Sequence, residues 1–138
     1  MIRLLEIMSD QIASVSPECS VQNAVIRMLD ENVNSLMVVT PEGRLVGTIS
    51  ESELLPAIYD SHMRQTPVSL HMNRDFSHVS AEMPIEEAAN HFVLHRTRVL
   101  PVLDCGKLVG VVGRRDLMKA IFVPSSDLAV ADSVQTES

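Results

Sequence analysis

The sequence of 138 residues is poor in aromatic residues and in cysteine, with no Trp, one Tyr, three Phe and two Cys. Without Trp, and with a single Tyr, the chain has no platform on which successive nucleic-acid bases stack. The formal net charge of -7 also argues against general nucleic-acid binding, which needs Lys and Arg against phosphates. Cys19 and Cys105 are too few for a disulfide framework, which indicates a reducing compartment.

Long apolar runs are missing as well. No stretch approaches the ~18 apolar residues that span a bilayer, and the start of the chain, MIRLLEIMSD, is too short and too acidic at its end for a signal peptide. The sequence also lacks a P-loop, a dinucleotide-binding fingerprint and a nucleophile elbow. We therefore expect a soluble cytoplasmic protein that is not an enzyme and does not insert into membranes.

The clearest feature of the sequence is an internal repeat that covers nearly the whole chain. The copies are offset by 64 residues in their first part and by 63 after a one-residue deletion. The matched stretches, first copy then second, are SVSPECSVQNAV and HVSAEMPIEEAA, SLMVV and VLPVL, and GTISESEL and GVVGRRDL. The deletion falls in a turn, where a duplicated domain tolerates it best. We divide the chain into a first repeat at 1–66, a second at 67–122, and an acidic tail at 123–138 that we expect to be disordered.

Each copy predicts the same elements: a short strand, a helix, two strands joined by a turn, and a second helix. Ser20 is placed to cap the first helix, in which apolar residues recur at helical spacing as far as Leu29. Pro84 opens its counterpart in the second copy, and Ser61–Asn73 is predicted to be the linker. Half of the chain, about 60 residues, buries too little surface to be stable alone. We therefore predict an α/β (α+β) fold in which two β-α-β-β-α copies pack sheet to sheet about a pseudo-two-fold axis.

The order of these motifs, recurring twice, resembles a tandem pair of CBS domains, the regulatory module named after cystathionine beta-synthase. The resemblance rests on IMSDQIASVSPECSVQNAVIRM and HMNRDFSHVSAEMPIEEAANHF, on RVLPVLD, and on the phrases GTISESEL and GVVGRRDL. It implies a cleft between the copies that holds an adenosine-containing ligand such as AMP, ADP, ATP or S-adenosylmethionine. It also implies a homodimer without a resident cofactor, which acts on an unidentified partner protein when the ligand binds.

The resemblance places the ligand at the two glycine phrases, where the family has Ser or Thr followed three residues later by Asp. The hydroxyl and the free N–H groups of the helix face a phosphate, and the Asp accepts hydrogen bonds from both ribose hydroxyls. The second copy offers Asp116 as the ribose acceptor but has Gly113 at the hydroxyl position. Arg114 and Arg115 follow and are expected to bind the phosphate instead. The alternative for Asp116 is an acid that stabilises the first turn of its helix.

The first copy departs from the family pattern in the opposite way, with Ser50 at the hydroxyl position and Glu53 in place of Asp. The longer side chain favours a capping box over ribose binding. Basic residues are concentrated in the second copy, where Arg96 and Arg98 precede the strand VLPVL. We therefore expect the better-equipped site in the second copy. By family position, the residues that line the adenine slot are Val15, Ser16, Pro17, Leu36 and Met37, and Val79, Ser80, Leu100 and Pro101.

Three other interpretations remain open or are weaker. The departures at Gly113 and Glu53 are also what a ligand-free oligomerisation or scaffold module with decayed sites would show. Metal-dependent regulation has only the acidic charge of the first repeat behind it. His91 and His95 have the i, i+4 spacing of metal ligands but no third ligand nearby in sequence, so we predict no metal site.

Overall fold

The computed structural model describes residues 1–123, so the predicted tail at 123–138 lies, except for Val123, outside the described residues. The order of elements is β-α-β-β-α, repeated once, which confirms the predicted fold class. No helix in this part of the chain is long and apolar enough to cross a membrane. The strands and α-helices are β1 (Ser14–Val15), α1 (Val21–Asp30), β2 (Ser35–Val39), β3 (Leu45–Ser50), α2 (Glu51–Leu54), β4 (Val79–Ser80), α3 (Ile85–His95), β5 (Val99–Asp104), β6 (Lys107–Gly113) and α4 (Arg114–Phe122).

The strands form two three-stranded sheets, in the orders β1-β2-β3 and β4-β5-β6. In the first sheet β1 runs parallel to β2, with Ser14 opposite Met37. Strand β3 runs antiparallel to β2, with Ser50 opposite Ser35. This register places the end of β3, and with it the start of α2, beside the start of β2.

The first helix of each repeat begins close to where the sequence predicts. The Ser20 hydroxyl accepts a hydrogen bond from the Asn23 N–H at 3.1 Å, which confirms the predicted cap of α1. Pro84 is the N-cap of α3 rather than its first residue. Leu29 was expected on the buried stripe of α1, but 73% of its surface is exposed. The buried stripe of this helix ends at Met28, and Leu29 lies about 100° further around the helix.

The second helix of the first repeat is short because of a proline. Helix α2 ends at Leu54, and the chain continues as a 3-10 turn over Leu55–Ile58. Pro56 has no N–H to donate, and its ring crowds the carbonyl four residues earlier, so the α-helix stops before it. Helix α4 contains no proline and extends over nine residues.

The described residues form two compact units that do not coincide with the sequence repeats. The first-repeat unit contains Gln11–Phe76 and Leu103–Leu108. The second-repeat unit contains Met1–Asp10, Ser77–Val102 and the described residues from Val109 onward. The segment that leads into each repeat therefore belongs to the unit built on the other repeat.

Buried side chains explain these boundaries. Leu4 is fully buried in the core of the second-repeat unit, together with Ile85 and Leu100. Val68 is fully buried in the core of the first-repeat unit, and Met63 packs there too. The stretch Ser61–Asn73, predicted only as a linker, thus supplies part of a hydrophobic core.

Candidate functional site

The phrase GVVGRRDL forms the end of β6 and the first turn of α4 in the second-repeat unit. Gly113 is the N-cap of α4, and its N–H donates to Asp116 Oδ2 at 2.7 Å. The Arg114 N–H donates to the carbonyl oxygen of Arg98 at 3.1 Å. The structure therefore brings together four of the predicted site residues at the N-terminus of one helix: Arg98, Gly113, Arg114 and Asp116.

One oxygen of the Asp116 carboxylate caps the N-terminus of α4, the helix that contains this residue. Oδ2 accepts from the N-cap amide, the contact expected of an acid that stabilises the first turn. Oδ1 has no hydrogen-bond partner among residues 1–123, and the side chain is half-buried. A Cβ at Gly113 would lie 3.3 Å from Asp116 Oδ2 and 3.5 Å from the Arg98 carbonyl oxygen. A side chain at Gly113 would therefore crowd both the Asp116 carboxylate and the Arg98 carbonyl group.

Three arginines at this helix start have no acidic partner within the described residues. Arg98, Arg114 and Arg115 are exposed, and the ion pairs within residues 1–123 involve other arginines, in Arg3–Glu82 and Arg27–Glu31. Their positive charge adds to the partial positive charge that the helix dipole places at the N-terminus of α4. The arrangement offers guanidinium and amide donors to an anion, next to a carboxylate with one free oxygen.

In the first-repeat unit, side chains of the corresponding phrase GTISESEL form hydrogen bonds with one another and with the backbone of the same phrase. The Ser50 N–H donates to Glu53 Oε1 at 3.3 Å, as the capping-box interpretation predicts. The Ser50 hydroxyl donates to Glu53 Oε2, and the Ser52 hydroxyl donates to the same oxygen at 3.1 Å. Both oxygens of Glu53 therefore have partners within the first turn of α2, whereas Asp116 Oδ1 has none among residues 1–123.

The predicted adenine-slot residues divide between the two units and differ in exposure. In the second-repeat unit Val79, Leu100 and Pro101 are buried, whereas Ser80 is exposed and accepts from the Glu82 N–H at 3.3 Å. In the first-repeat unit Val15, Leu36 and Met37 are buried, Pro17 is half-buried and Ser16 is exposed. Val15 and Leu36 belong to the hydrophobic core of the first-repeat unit, and Val79 and Leu100 to that of the second-repeat unit.

A polar cavity in the first-repeat unit was not predicted as a whole. It has a volume of about 450 Å³ between β1, the end of β2 and α1, and its polar lining is Ser14, Ser16, Cys19, Asn23, Arg27 and Thr40. Burial raises the pKa of the Cys19 thiol, and the nearby Arg27 guanidinium partly opposes that shift. The spacing of Asn23 and Arg27 places both on one polar face of α1 and could have indicated this cavity. Of the polar lining residues, only Ser16 was predicted to contact a ligand.

The glycine that opens each phrase has a neighbour that sequence reasoning also missed. Met72 packs against Gly47, and Met8 packs against Gly110. These methionines were matched as part of the repeat, but nothing in the sequence linked either one to the glycine of the other copy.

Among residues 1–123, no three His, Cys, Asp or Glu side chains come together as metal ligands. The rings of His91 and His95 stack with their centroids 6.0 Å apart. The pair therefore stands without a third ligand in the described part of the chain.

Comparison with known proteins defines the class to which this fold and these phrases belong. The family profile described as CBS domain matches residues 4–60 and 68–123. The chain belongs to the CBS-domain family.

Two curated relatives illustrate the range of proteins that contain this module. The CBS domain-containing protein YhcV of Bacillus subtilis is 33% identical over 111 residues, which cover 80% of this chain and 79% of YhcV. The A-adding tRNA nucleotidyltransferase of Aquifex aeolicus is 29% identical over 120 residues. Those residues are 87% of this chain but only 14% of the nucleotidyltransferase.

A solved structure adds a relative with a bound ligand. CBSX2 in complex with AMP superposes with a TM-score of 0.78 at 26% sequence identity. The match covers 87% of this chain and 96% of CBSX2.

Proposed function

We propose that this protein is a regulatory module that binds an adenine nucleotide, with the main binding determinants in the second-repeat unit. The observation that carries the proposal is a set of groups at the N-terminus of α4 that have no partner in the described part of the chain: Oδ1 of Asp116 and the guanidinium groups of Arg98, Arg114 and Arg115. Binding of AMP by CBSX2, a member of the same family, supports the ligand class.

The chemistry of these groups suggests a role for each. A carboxylate oxygen without an internal partner accepts from ribose hydroxyls, and Asp116 Oδ1 is available for this. Arg114 and Arg115 bind phosphate oxygens through charge-assisted hydrogen bonds, which need no hydroxyl at Gly113. The adenine lies against apolar residues that include Leu100 and Pro101.

The charge at this site favours a nucleotide over S-adenosylmethionine. The sulfonium of S-adenosylmethionine is a cation and would meet three guanidinium groups against a single carboxylate, that of Asp116. Every phosphate of AMP, ADP or ATP adds negative charge where the helix N-terminus and the arginines favour it. We therefore place ATP and ADP ahead of AMP, and all three ahead of S-adenosylmethionine.

The proposed action is a population shift, without catalysis. A ligand that binds one conformation better than another stabilises it, and a partner protein reads the difference. We assign no catalytic activity to the chain, which we propose to act as a cytoplasmic homodimer. The alternative, a ligand-free scaffold, is favoured by one observation, namely that both oxygens of Glu53 have partners within its own helix turn.

Isothermal titration with AMP, ADP, ATP and S-adenosylmethionine tests the proposal. We expect the Arg114→Gln/Arg115→Gln double variant to bind ATP at least about tenfold more weakly, since each charged hydrogen bond contributes roughly 1.5–3 kcal/mol. Arg44→Gln, which removes an exposed arginine from the first-repeat unit, is the matched control and should bind like the wild type. Absence of binding by all four ligands would overturn the proposal. Tighter binding of S-adenosylmethionine than of ATP would overturn its electrostatic part alone.

A further inference from the structure

The polar cavity beside α1 in the first-repeat unit has the lining of an anion-binding site. Its volume of about 450 Å³ lies within the range of pockets that hold small molecules. Arg27 is the one charged residue among the described residues that line it. The other polar lining groups are hydroxyls, an amide and a thiol, from Ser14, Ser16, Cys19, Asn23 and Thr40. A lining with one cation and no acid attracts an anion.

The neutral donors of this cavity are not satisfied by the protein itself. Among residues 1–123, the hydroxyls of Ser14 and Ser16 and the side-chain amide of Asn23 have no hydrogen-bond partner. No fully buried side-chain oxygen or nitrogen in this part of the chain lacks a partner, so these groups are open to solvent. The Thr40 hydroxyl accepts from the Arg44 N–H at 3.2 Å and keeps its own hydrogen for a ligand.

The Arg27 guanidinium is held at one end only. Its Nε donates to Glu31 Oε2 at 2.8 Å, and neither of its Nη groups has a hydrogen-bond partner in the described part of the chain. Both side chains of this ion pair are more than two-fifths exposed, so solvent weakens the pairing. The positive charge of Arg27 also reaches the cavity, since it opposes the effect of burial on the pKa of the Cys19 thiol.

The cavity lies apart from the glycine phrase of the same unit. The register of β2 and β3 places GTISESEL beside the start of β2. Val39 and Thr40, which line the cavity, are at the end of that strand. A strand rises about 3.3 Å per residue, so about 13 Å separate the two ends of β2. The cavity contains none of the groups at the N-terminus of α4 on which the proposed nucleotide site depends.

We propose that this cavity binds the phosphate group of a small organic molecule, a second ligand besides the nucleotide. A phosphate monoester carries close to two negative charges at about pH 7 and three acceptor oxygens, whereas a carboxylate carries one charge and two oxygens. Phosphate therefore engages more of the available donors. The cavity is larger than a phosphate ion and leaves room for an organic group. Its proposed donors are Arg27, with the charge, and Ser14, Ser16, Asn23 and Thr40.

The Cys19 thiol provides the measurement. In a Cys105→Ser variant, Cys19 is the single thiol of the chain, and its rate of modification by iodoacetamide is followed as inorganic phosphate is added. A bound phosphate shields the thiol and disfavours the thiolate, so we expect the rate to fall at least about threefold at saturation. Potassium chloride at the same ionic strength corrects for screening. Glycerol 3-phosphate should produce the same effect at a lower concentration.

Variants with opposite expected effects show whether the response belongs to this cavity. Arg27→Gln should weaken phosphate binding at least about tenfold, because it removes the charged donor. Glu31→Gln removes the competing acid and should tighten binding about two- to fivefold. The Arg114→Gln/Arg115→Gln double variant should bind phosphate here like its parent. Each rate is compared with that of the same variant without phosphate, and circular dichroism checks that each variant is folded.

Several results would overturn the inference. These are a fall in rate no greater than with chloride, a fall of unchanged size in Arg27→Gln, or a fall that disappears in the Arg114→Gln/Arg115→Gln variant. Equal slowing by acetate would overturn the choice of phosphate. Titration with ATP keeps the two proposals apart. A chain that binds no nucleotide but shows the Arg27-dependent slowing contradicts only the proposed nucleotide site, and the reverse pattern contradicts only the cavity.

Discussion

Met72 occupies the space that a side chain at Gly47 would need: a Cβ built on Gly47 would lie 2.5 Å from Met72 Sδ. Next to this contact, Thr48 and Asn73 exchange backbone hydrogen bonds of 3.0 and 2.7 Å. The second-repeat unit repeats the arrangement with Met8 against Gly110, where the distance is 2.7 Å. In each unit, the glycine that opens the phrase thus leaves room for a methionine, which belongs to the segment that leads into the other repeat.

Substitution of Gly47 tests whether this contact is required. Gly47→Ala should lower the free energy of unfolding by about 1–3 kcal/mol, because the new methyl overlaps Met72 Sδ and Cγ. The same substitution in a Met72→Ala background should cost less, although a contact with the Asn73 carbonyl oxygen at 3.1 Å remains. Urea denaturation of the four proteins gives the coupling energy. Equal costs of Gly47→Ala in both backgrounds would contradict a specific role for Met72.

The segment between the repeats provides a second test. Val68 is fully buried in the core of the first-repeat unit, whereas Leu70, two residues later, is 69% exposed. Val68→Ala should destabilise the protein by about 2 kcal/mol, since it removes buried methyl groups and leaves a cavity. Leu70→Ala should change the stability by less than about 0.5 kcal/mol. Similar urea midpoints for the two variants would show that the segment Ser61–Asn73 only connects the repeats and does not stabilise the core.

The two thiols should react at different rates. Cys105 is exposed in the turn between β5 and β6, whereas Cys19 is half-buried and burial raises its pKa. Because the thiolate is the reactive form, a raised pKa leaves less of it at about pH 8. Iodoacetamide should therefore modify Cys105 first, and the rate at Cys19 should keep rising as the pH is increased further. Mass spectrometry locates the modified residue.

A Cys105→Ser variant isolates the second thiol for the same measurement. Arg27→Gln should then slow the modification of Cys19 further, because the arginine opposes the effect of burial on the thiol pKa. Faster reaction of Cys19 than of Cys105 in the wild type would contradict this description of the cavity.

Much of the fold could be predicted because local signals and the repeat agreed. Ser20 capped its helix as expected, and the order of elements followed from apolar runs and turn residues. The lengths of α2 and of the buried stripe on α1 were less predictable. Pro56 ends α2 early. Whether Leu29 is buried depends on which side of α1 packs against the core, and the sequence spacing leaves that open by about one residue.

Contacts between distant parts of the sequence could not be predicted. Nothing in the composition of Ser61–Asn73 distinguishes Val68, which is buried, from Leu70, which is exposed. The two glycine phrases suggested a ligand site through the resemblance, which gave roles to their fourth and seventh positions but none to the glycine that opens each phrase. Only the three-dimensional arrangement shows that Gly47 and Gly110 each make room for a methionine.

The contrast between Asp116 and Glu53 is the basis of the proposed site. Asp116→Asn keeps an oxygen that can accept from the Gly113 N–H, so the helix cap survives while the carboxylate charge is lost. Glu53→Gln makes the equivalent change in the first-repeat unit, where local donors already occupy both oxygens. Thermal denaturation of both variants shows whether either change affects folding.

The affinity of these two variants for ATP, measured by titration calorimetry against the wild type, tests the central claim most directly. Asp116→Asn should weaken binding about tenfold or more, since a charged acceptor contributes roughly 1.5–3 kcal/mol, and Glu53→Gln should bind like the wild type. Loss of binding in Glu53→Gln with unchanged binding in Asp116→Asn would place the site in the other repeat and contradict the account.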